Sequence, residues 1–239
     1  MLANVISDIG LVRETNEDSY ICAPPNLFIV ADGMGGHVAG EIASKLAVTT
    51  VNDYIQKNGG KISPELILNQ AITQANTSVY QMAQSKEDFN GMGTTITAVY
   101  IEETTIYWGH VGDSRIYLLR NGNLCQVTSD HSLVWELVQS GNITKEEAHV
   151  HPKRNMLTRA VGTSCLITID TGIIAWKPGD IVLMCTDGLT NMVSEQDICA
   201  LMQCEERDSE SILKQLIVQA KDAGGFDNIT AILLKNGDA

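Results

Sequence analysis

Apolar side chains recur along this chain in two rhythms, and the switches between them mark out its elements. Over residues 4–9 polar and apolar positions alternate, as on a half-buried strand, and residues 19–23 and 27–31 follow as short apolar runs. The period then lengthens. Ile42, Ala43, Leu46, Ala47, Val51 and Tyr54 fall on one stripe of a helix, and Leu68, Ala71, Ile72, Ala75, Val79 and Met82 fall on another. The second stripe follows Ser63 and Pro64, which read as an N-cap and a first helical residue.

The shorter rhythm returns over residues 94–101, 105–111, 115–119 and 124–128, rich in the Thr, Val, Ile and Tyr that suit a pleated surface. Asn121-Gly122 predicts a tight hairpin between the last two. A helix is expected over 133–139, and Thr144-x-x-Glu147 reads as a capping box opening another. Strands follow at 167–176 and 181–185. Further helices begin near Ser194, with Asp197 placed to complete a box, and near Ser209, before a last strand at 228–234. Strands thus come in blocks with helices in pairs between them, unlike the regular alternation of a parallel sheet. The pattern predicts an α+β fold of antiparallel sheets packed on each other with helices outside. No repeat or linker interrupts it, so residues 1–239 are expected to form one domain.

Composition narrows the partners. The 239 residues are 44% hydrophobic with 20 glycines, as in a globular protein with many turns. Sixteen basic against 29 acidic residues give a net charge of −13, and no basic block stands out. That excludes nucleic acid and anionic membrane as main partners, since both require a basic face. No stretch reaches 18 apolar residues and no leader-like start is evident, so a soluble cytoplasmic protein is expected. The six cysteines are scattered without a CxxC pair and are expected to be buried free thiols in a reducing compartment. A phosphate site in so acidic a chain would need positive charge from a few placed arginines or from bound metal.

Four apolar runs are bordered by an aspartate beside a glycine or asparagine: Asp32-Gly33, Gly112-Asp113, Asp187-Gly188 and Asp227-Asn228. Each alone reads as a turn. Together with Glu17 and Asp18 they place six carboxylates beside buried segments, which is costly unless cations neutralise them. Oxygen ligands select hard ions such as Mg²⁺ or Mn²⁺. Two ions about 3.5–4 Å apart can activate a water and clamp a phosphoryl group. Arg13, between the first two strands, carries a planar fork suited to the remaining phosphate oxygens.

The segments Arg13-Glu-Thr-Asn-Glu-Asp18, Ala31-Asp-Gly-Met-Gly-Gly-His37, Gly93-Thr-Thr95 and Gly112-Asp-Ser-Arg115 come in the order of the motifs of PP2C-type (PPM) phosphatases. So do Ser129-Asp-His131, Leu157-Thr-Arg-Ala-Val-Gly162, Thr186-Asp-Gly-Leu189 and Gly225-Phe-Asp-Asn-Ile-Thr230. The chain resembles the bacterial members of that family that oppose Ser/Thr protein kinases. The resemblance implies a four-layer αββα sandwich and hydrolysis of phosphoserine and phosphothreonine on proteins, kinases included. It implies that Asp32 bridges two metal ions, that the Gly33 carbonyl binds one of them, and that Asp187 and Asp227 hold the first. Glu17 would assist the second ion through water, and a third ion would sit between Asp113 and Asp187. Arg13 would grip substrate phosphate, and residues 141–159 would form a flap beside the site. The place after Asp-Gly, histidine in animal relatives, is Met34 here, leaving His37 as the candidate general acid, with helix capping as its other possible role. His149, His151, Lys153 and Arg154 are flap candidates for phosphopeptide recognition, and His131 is expected to be structural. A monomer is expected.

Rival chemistries lack their residues. A haloacid-dehalogenase phosphatase needs an aspartate where Met34 stands, and no cysteine is followed by arginine at the cysteine-phosphatase spacing. No glycine-rich loop with a downstream lysine marks a kinase. A pseudophosphatase acting as a binding module would have lost metal carboxylates, which this chain keeps. A phosphatase dedicated to one regulatory phosphoserine protein would share the chemistry and differ in partner.

Overall fold

The computed structural model describes residues 1–35, 39–204 and 207–237. Its first strands are β1 (Leu2–Asp8), β2 (Asp18–Ala23), β3 (Leu27–Met34) and β4 (Gly93–Thr94). Then come β5 (Ile96–Glu102), β6 (Thr105–Val111), β7 (Arg115–Arg120) and β8 (Asn123–Gln126). The last are β9 (Asp170–Ala175), β10 (Ile181–Cys185) and β11 (Ile229–Lys235). They form two antiparallel sheets, ordered β1-β11-β10-β7-β8 and β2-β3-β5-β6-β9, with β4 paired to β3. Helices α1 (Ala39–Asn58) and α2 (Pro64–Ala83) cover the second sheet, while α6 (Glu195–Met202) and α7 (Ser209–Asp222) cover the first. Short helices α3 (Leu133–Gln139) and α4 (Lys145–Val150) lie between β8 and β9, and α5 (Asp187–Thr190) follows β10. The expected αββα layering is what the chain adopts.

Strand alternation produces those layers. On β3, Leu27, Ile29 and Ala31 join the core under α1 and α2, while Phe28 and Val30 join a core between the sheets. On β10 and β11, Val182, Met184, Ile232 and Leu234 fill that same seam. Continuing each pattern by two residues puts Asp32, Thr186 and Thr230 on the seam face, where the apolar layer turns polar at one end. Asp18 lies opposite Asp32 in the β2–β3 register, so both carboxylates share that face.

The expected elements are found, with local corrections. Asn121 and Gly122 both take positive φ, 51° and 75°, as a two-residue hairpin requires. The Thr144–Glu147 box closes with both hydrogen bonds. Ser63 occupies the N-cap position of α2 without a side-chain cap, so Pro64 supplies that start alone. Asp197 does not close its box: its carboxylate accepts the Ser194 hydroxyl at 2.6 Å, and only the Ser194 oxygen caps. Helix α7 begins at Ser209 as expected, and Asp208 caps it. The Asp32-Gly33 pair is not a turn, because β3 runs straight through it to Met34. Only Cys185 of the six free thiols is buried; Cys125 and Cys165 are exposed, so burial does not account for them. Among the described residues no helix is long and apolar enough to cross a membrane.

Phe28 is fully buried in the seam. Phe28→Ala should lower unfolding free energy by about 3–5 kcal/mol, measured by urea denaturation with an unchanged m-value. A loss under about 1 kcal/mol would mean that the sheets do not rely on this packing.

Candidate metal centre

Each carboxylate reaches the polar end of the seam on a rigid element. Asp32 stands inside β3, where its N–H donates to Thr95 Oγ1 and its carbonyl accepts from Thr95 N, both at 2.8 Å. Asp113 follows β6 after Gly112, whose φ of +113° suits glycine and whose α-carbon faces Thr95 too closely for a side chain. Asp187 opens α5, with Asn191 Nδ2 donating to its Oδ2 at 2.9 Å. Asp227 precedes β11, and its Oδ1 accepts the Asn228 N–H at 2.9 Å. A side chain at Gly33 would run into the Gly40 carbonyl oxygen, and one at Gly40 would meet Glu17 Oε1, so the Gly33 main chain lies close to the Glu17 carboxylate.

One side chain ties the loop before β2 to this end. Asn228 donates to the carbonyls of Ile9 and Thr15, both at 3.0 Å, and accepts the Glu17 N–H at 2.8 Å. Behind it, Thr186 Oγ1 donates to Asp18 Oδ2 at 2.9 Å and accepts the Thr230 N–H at 3.0 Å. These supporting residues escaped the sequence reading. Asp18 was counted among the acidic residues but given no role, although its register opposite Asp32 was available from the strand pattern.

Crowding raises every resolved acid here. Burial first, then Asp18 and Asp187, hold Asp32 well above the ordinary carboxylate range, and burial and Asp187 do the same to Asp113. Asp187 is raised by burial and by Asp227, partly relieved by a hydrogen bond with Asp32. Burial pushes Asp18 up to about 7 against the opposing hydrogen bonds from Thr230 and Thr186. Glu17 is raised by burial in spite of Arg13. Two oxygens in this group, Asp18 Oδ1 and Asp187 Oδ1, are buried without a hydrogen-bond partner among the described residues. Orphaned oxygens among carboxylates that resist ionisation fit a hard divalent cation. Among the described residues no three His, Cys, Asp or Glu groups form a ready metal cage. An ion here would therefore complete its shell with water and main-chain oxygen such as the Gly33 carbonyl, as Mg²⁺-type ions do.

Arg13 is the cation at the mouth. Its guanidinium donates to Asp227 Oδ2 at 2.8 Å and lies 4.0 Å from Glu17, with its side chain 46% exposed. It is thus engaged with a carboxylate expected to bind metal. Arg115 is near Asp113 but is bound two-pronged to Asp130 at 2.7–3.1 Å. His131 is buried and engaged on both ring nitrogens: it accepts the Gly112 N–H at 3.0 Å and bonds to Asp170 at 3.1 Å. His37 lies outside the described residues. Beside Asp113 and Asp187 a groove of about 650 Å³ is lined by residues that include Trp135, Lys145, His149 and Arg154; His151 and Lys153 do not line it.

Known proteins share this plan. A family model described as protein phosphatase 2C matches residues 14–229. The serine/threonine phosphatase stp of Listeria welshimeri is 39% identical over 242 residues, covering 98% of this chain and 96% of its own. The crystal structure of the Mycobacterium tuberculosis serine/threonine phosphatase PstP/Ppp superposes with a TM-score of 0.91 at 36% identity, covering 99% of both chains. The catalytic domain of PstP in complex with two manganese ions gives a TM-score of 0.90 at 35% identity, over 99% of this chain and 98% of that one.

The raised acids set a pH dependence. With EDTA present, the folded chain holds protons on these groups that the unfolded chain has released, from about pH 4 up to the folded pKa values, about 7 for Asp18. Their contribution is complete below the unfolded pKa and is lost as pH rises. The melting temperature in EDTA should therefore fall from about pH 5 to about pH 8, and Mn²⁺ should raise it more at the higher pH. A melting temperature in EDTA that climbs over this range would refute the protonated cluster.

Proposed function

Because the chain belongs to the protein phosphatase 2C family, we propose that it is a metal-dependent protein serine/threonine phosphatase acting through the carboxylate cluster. The observation that carries the reading is the gathering of Asp18, Asp32, Asp113, Asp187 and Asp227 at one half-buried corner where, among the described residues, two oxygens are unpartnered. Bound Mn²⁺ or Mg²⁺ ions would supply positive charge, a water of lowered pKa and a clamp on the phosphoryl oxygens.

In this reading Asp32, Asp187, Asp227 and the Gly33 carbonyl would hold the ions, and Glu17 would orient a water beside them. Asp113, with Asp187, would hold a further ion. Asp18 stays behind Asp32, where Thr186 fixes its orientation. Asn228 holds the Arg13–Glu17 loop against the cluster, setting the reach of Arg13. Half-exposed Arg13, which pairs with Asp227 here, would offer its fork to the substrate phosphate. The family likeness supports phosphorylated proteins as substrates, Ser/Thr kinases among them, and one domain over residues 1–239. A monomer in the cytoplasm completes the reading, a setting that suits exposed free thiols at Cys125 and Cys165.

Hydrolysis of a phosphothreonine peptide should require Mn²⁺ or Mg²⁺ and stop in EDTA, and Asp32→Ala should abolish it while weakening metal binding by calorimetry. Full turnover by metal-free protein would sink this reading.

Arg13→Ala should raise KM for phosphopeptide by roughly ten- to a hundredfold while leaving metal content intact, the loss of a charged hydrogen bond. Unchanged kinetics would remove Arg13 from the site.

Asp113→Ala separates the third ion from a structural role. Under this proposal kcat falls steeply while two ions stay bound and melting is near normal. Near-normal kcat with a lowered melting temperature would make Asp113 structural.

A further inference from the structure

The loop that carries Arg13 also carries exposed apolar side chains. Ile9, Leu11 and Val12 are 39%, 62% and 59% exposed, and Phe226, beside Asp227 on the facing loop, is 59% exposed. Isolated apolar residues on a surface need no explanation. These four are not isolated, because the two loops are bound together at that point. The Leu11 N–H donates to the Gly225 carbonyl at 2.8 Å, and the Leu11 side chain packs over the Gly225 α-carbon, where a β-carbon would be crowded. The Phe226 ring folds back over Gly224 in the same way. Two glycines thus let Leu11 and Phe226 lie to either side of one short stretch of backbone.

The patch is also held firmly. Asn228 grips the Ile9 carbonyl, and the Gly10 N–H donates to Asp8 Oδ1 at 2.8 Å. A pinned apolar surface loses little conformational freedom when it is covered. It flanks the residue proposed to grip phosphate, with Leu11 two positions from Arg13, and two residues of extended chain span at most about 7 Å. A peptide whose phosphate reaches Arg13 therefore brings its neighbouring side chains over this surface. Contact there needs no charge, which suits a chain of net charge −13 that has little attraction for acidic segments.

Resting on the phosphatase reading, we propose that Leu11, Val12 and Phe226 form a specificity surface for a large apolar side chain one or two residues from the phosphoserine or phosphothreonine of the substrate. Such a side chain leaves water on binding, so the gain lies in KM and is insensitive to salt, whereas recognition by flap cations would weaken as salt rises.

The test uses the full chain with Mn²⁺ and phosphothreonine peptides carrying Leu, Ala or Asp on either side of the phosphoresidue, with p-nitrophenyl phosphate as a substrate lacking flanking residues. Wild type should show about a tenfold lower KM for Leu-flanked than for Ala-flanked peptide, the equivalent of about 1.4 kcal/mol, equally at low and high salt. Leu11→Ser and Phe226→Ser should each bring that ratio below about threefold, with p-nitrophenyl phosphate turnover and melting temperature unchanged. A ratio near one in wild type, or one preserved in both variants, would overturn the proposal. So would a wild-type dimer that Phe226→Ser dissociates, since the patch would then bind a second copy of the chain. Absence of p-nitrophenyl phosphate turnover in wild type would instead strike the phosphatase reading itself.

Discussion

Carboxylates crowded into a half-buried corner repel one another, and each must shed some of its water to be there. Both effects disfavour ionisation, which is why Asp32, Asp113 and Asp187 are all held above the ordinary range. Such a cluster is unstable as a set of bare anions and is relieved by protons, by a neighbouring cation or by divalent metal. The fold provides some of each: raised pKa values, Arg13 on Asp227, and oxygens without partners that point to an ion. A corner that strongly favours positive charge can also receive a phosphate dianion once ions are bound, despite the acidity of the whole chain.

What keeps the acids together is the seam between the sheets. Phe28, Val182, Met184 and Ile232 are packed rigidly, and the strands carrying them end at the same place. Asp32, Thr186 and Thr230 lie on the same face one step further on, so the position of the cluster follows from core packing. Asn228 then brings in the loop of Arg13 and Glu17, so a single buried amide joins that loop to the carboxylate corner.

Much of this was legible in the sequence. Alternation in β3 and the helical stripes of α1 and α2 gave the layers, because period directly reflects which face is buried. The four aspartates stood out because each borders an apolar run. Less was legible where side chains choose among partners. Ser63 and Asp197 carry good capping chemistry, yet one makes no cap and the other binds the Ser194 hydroxyl. Asp32-Gly33 reads locally as a turn, but the main-chain and side-chain bonds to Thr94 and Thr95 keep it extended. The Arg13–Asp227 pair joins residues 214 positions apart, and no local pattern could have announced it.

The central claim is that these acids hold protons until cations replace them. Titration of the protein with Mn²⁺ by calorimetry near pH 6.5, in buffers of different ionisation enthalpy, counts the protons released on binding. The account predicts release of one or more protons per chain, a number that declines as the pH is raised towards 8. Tight Mn²⁺ binding with no proton release at either pH would show that the carboxylates were already ionised, and would contradict it.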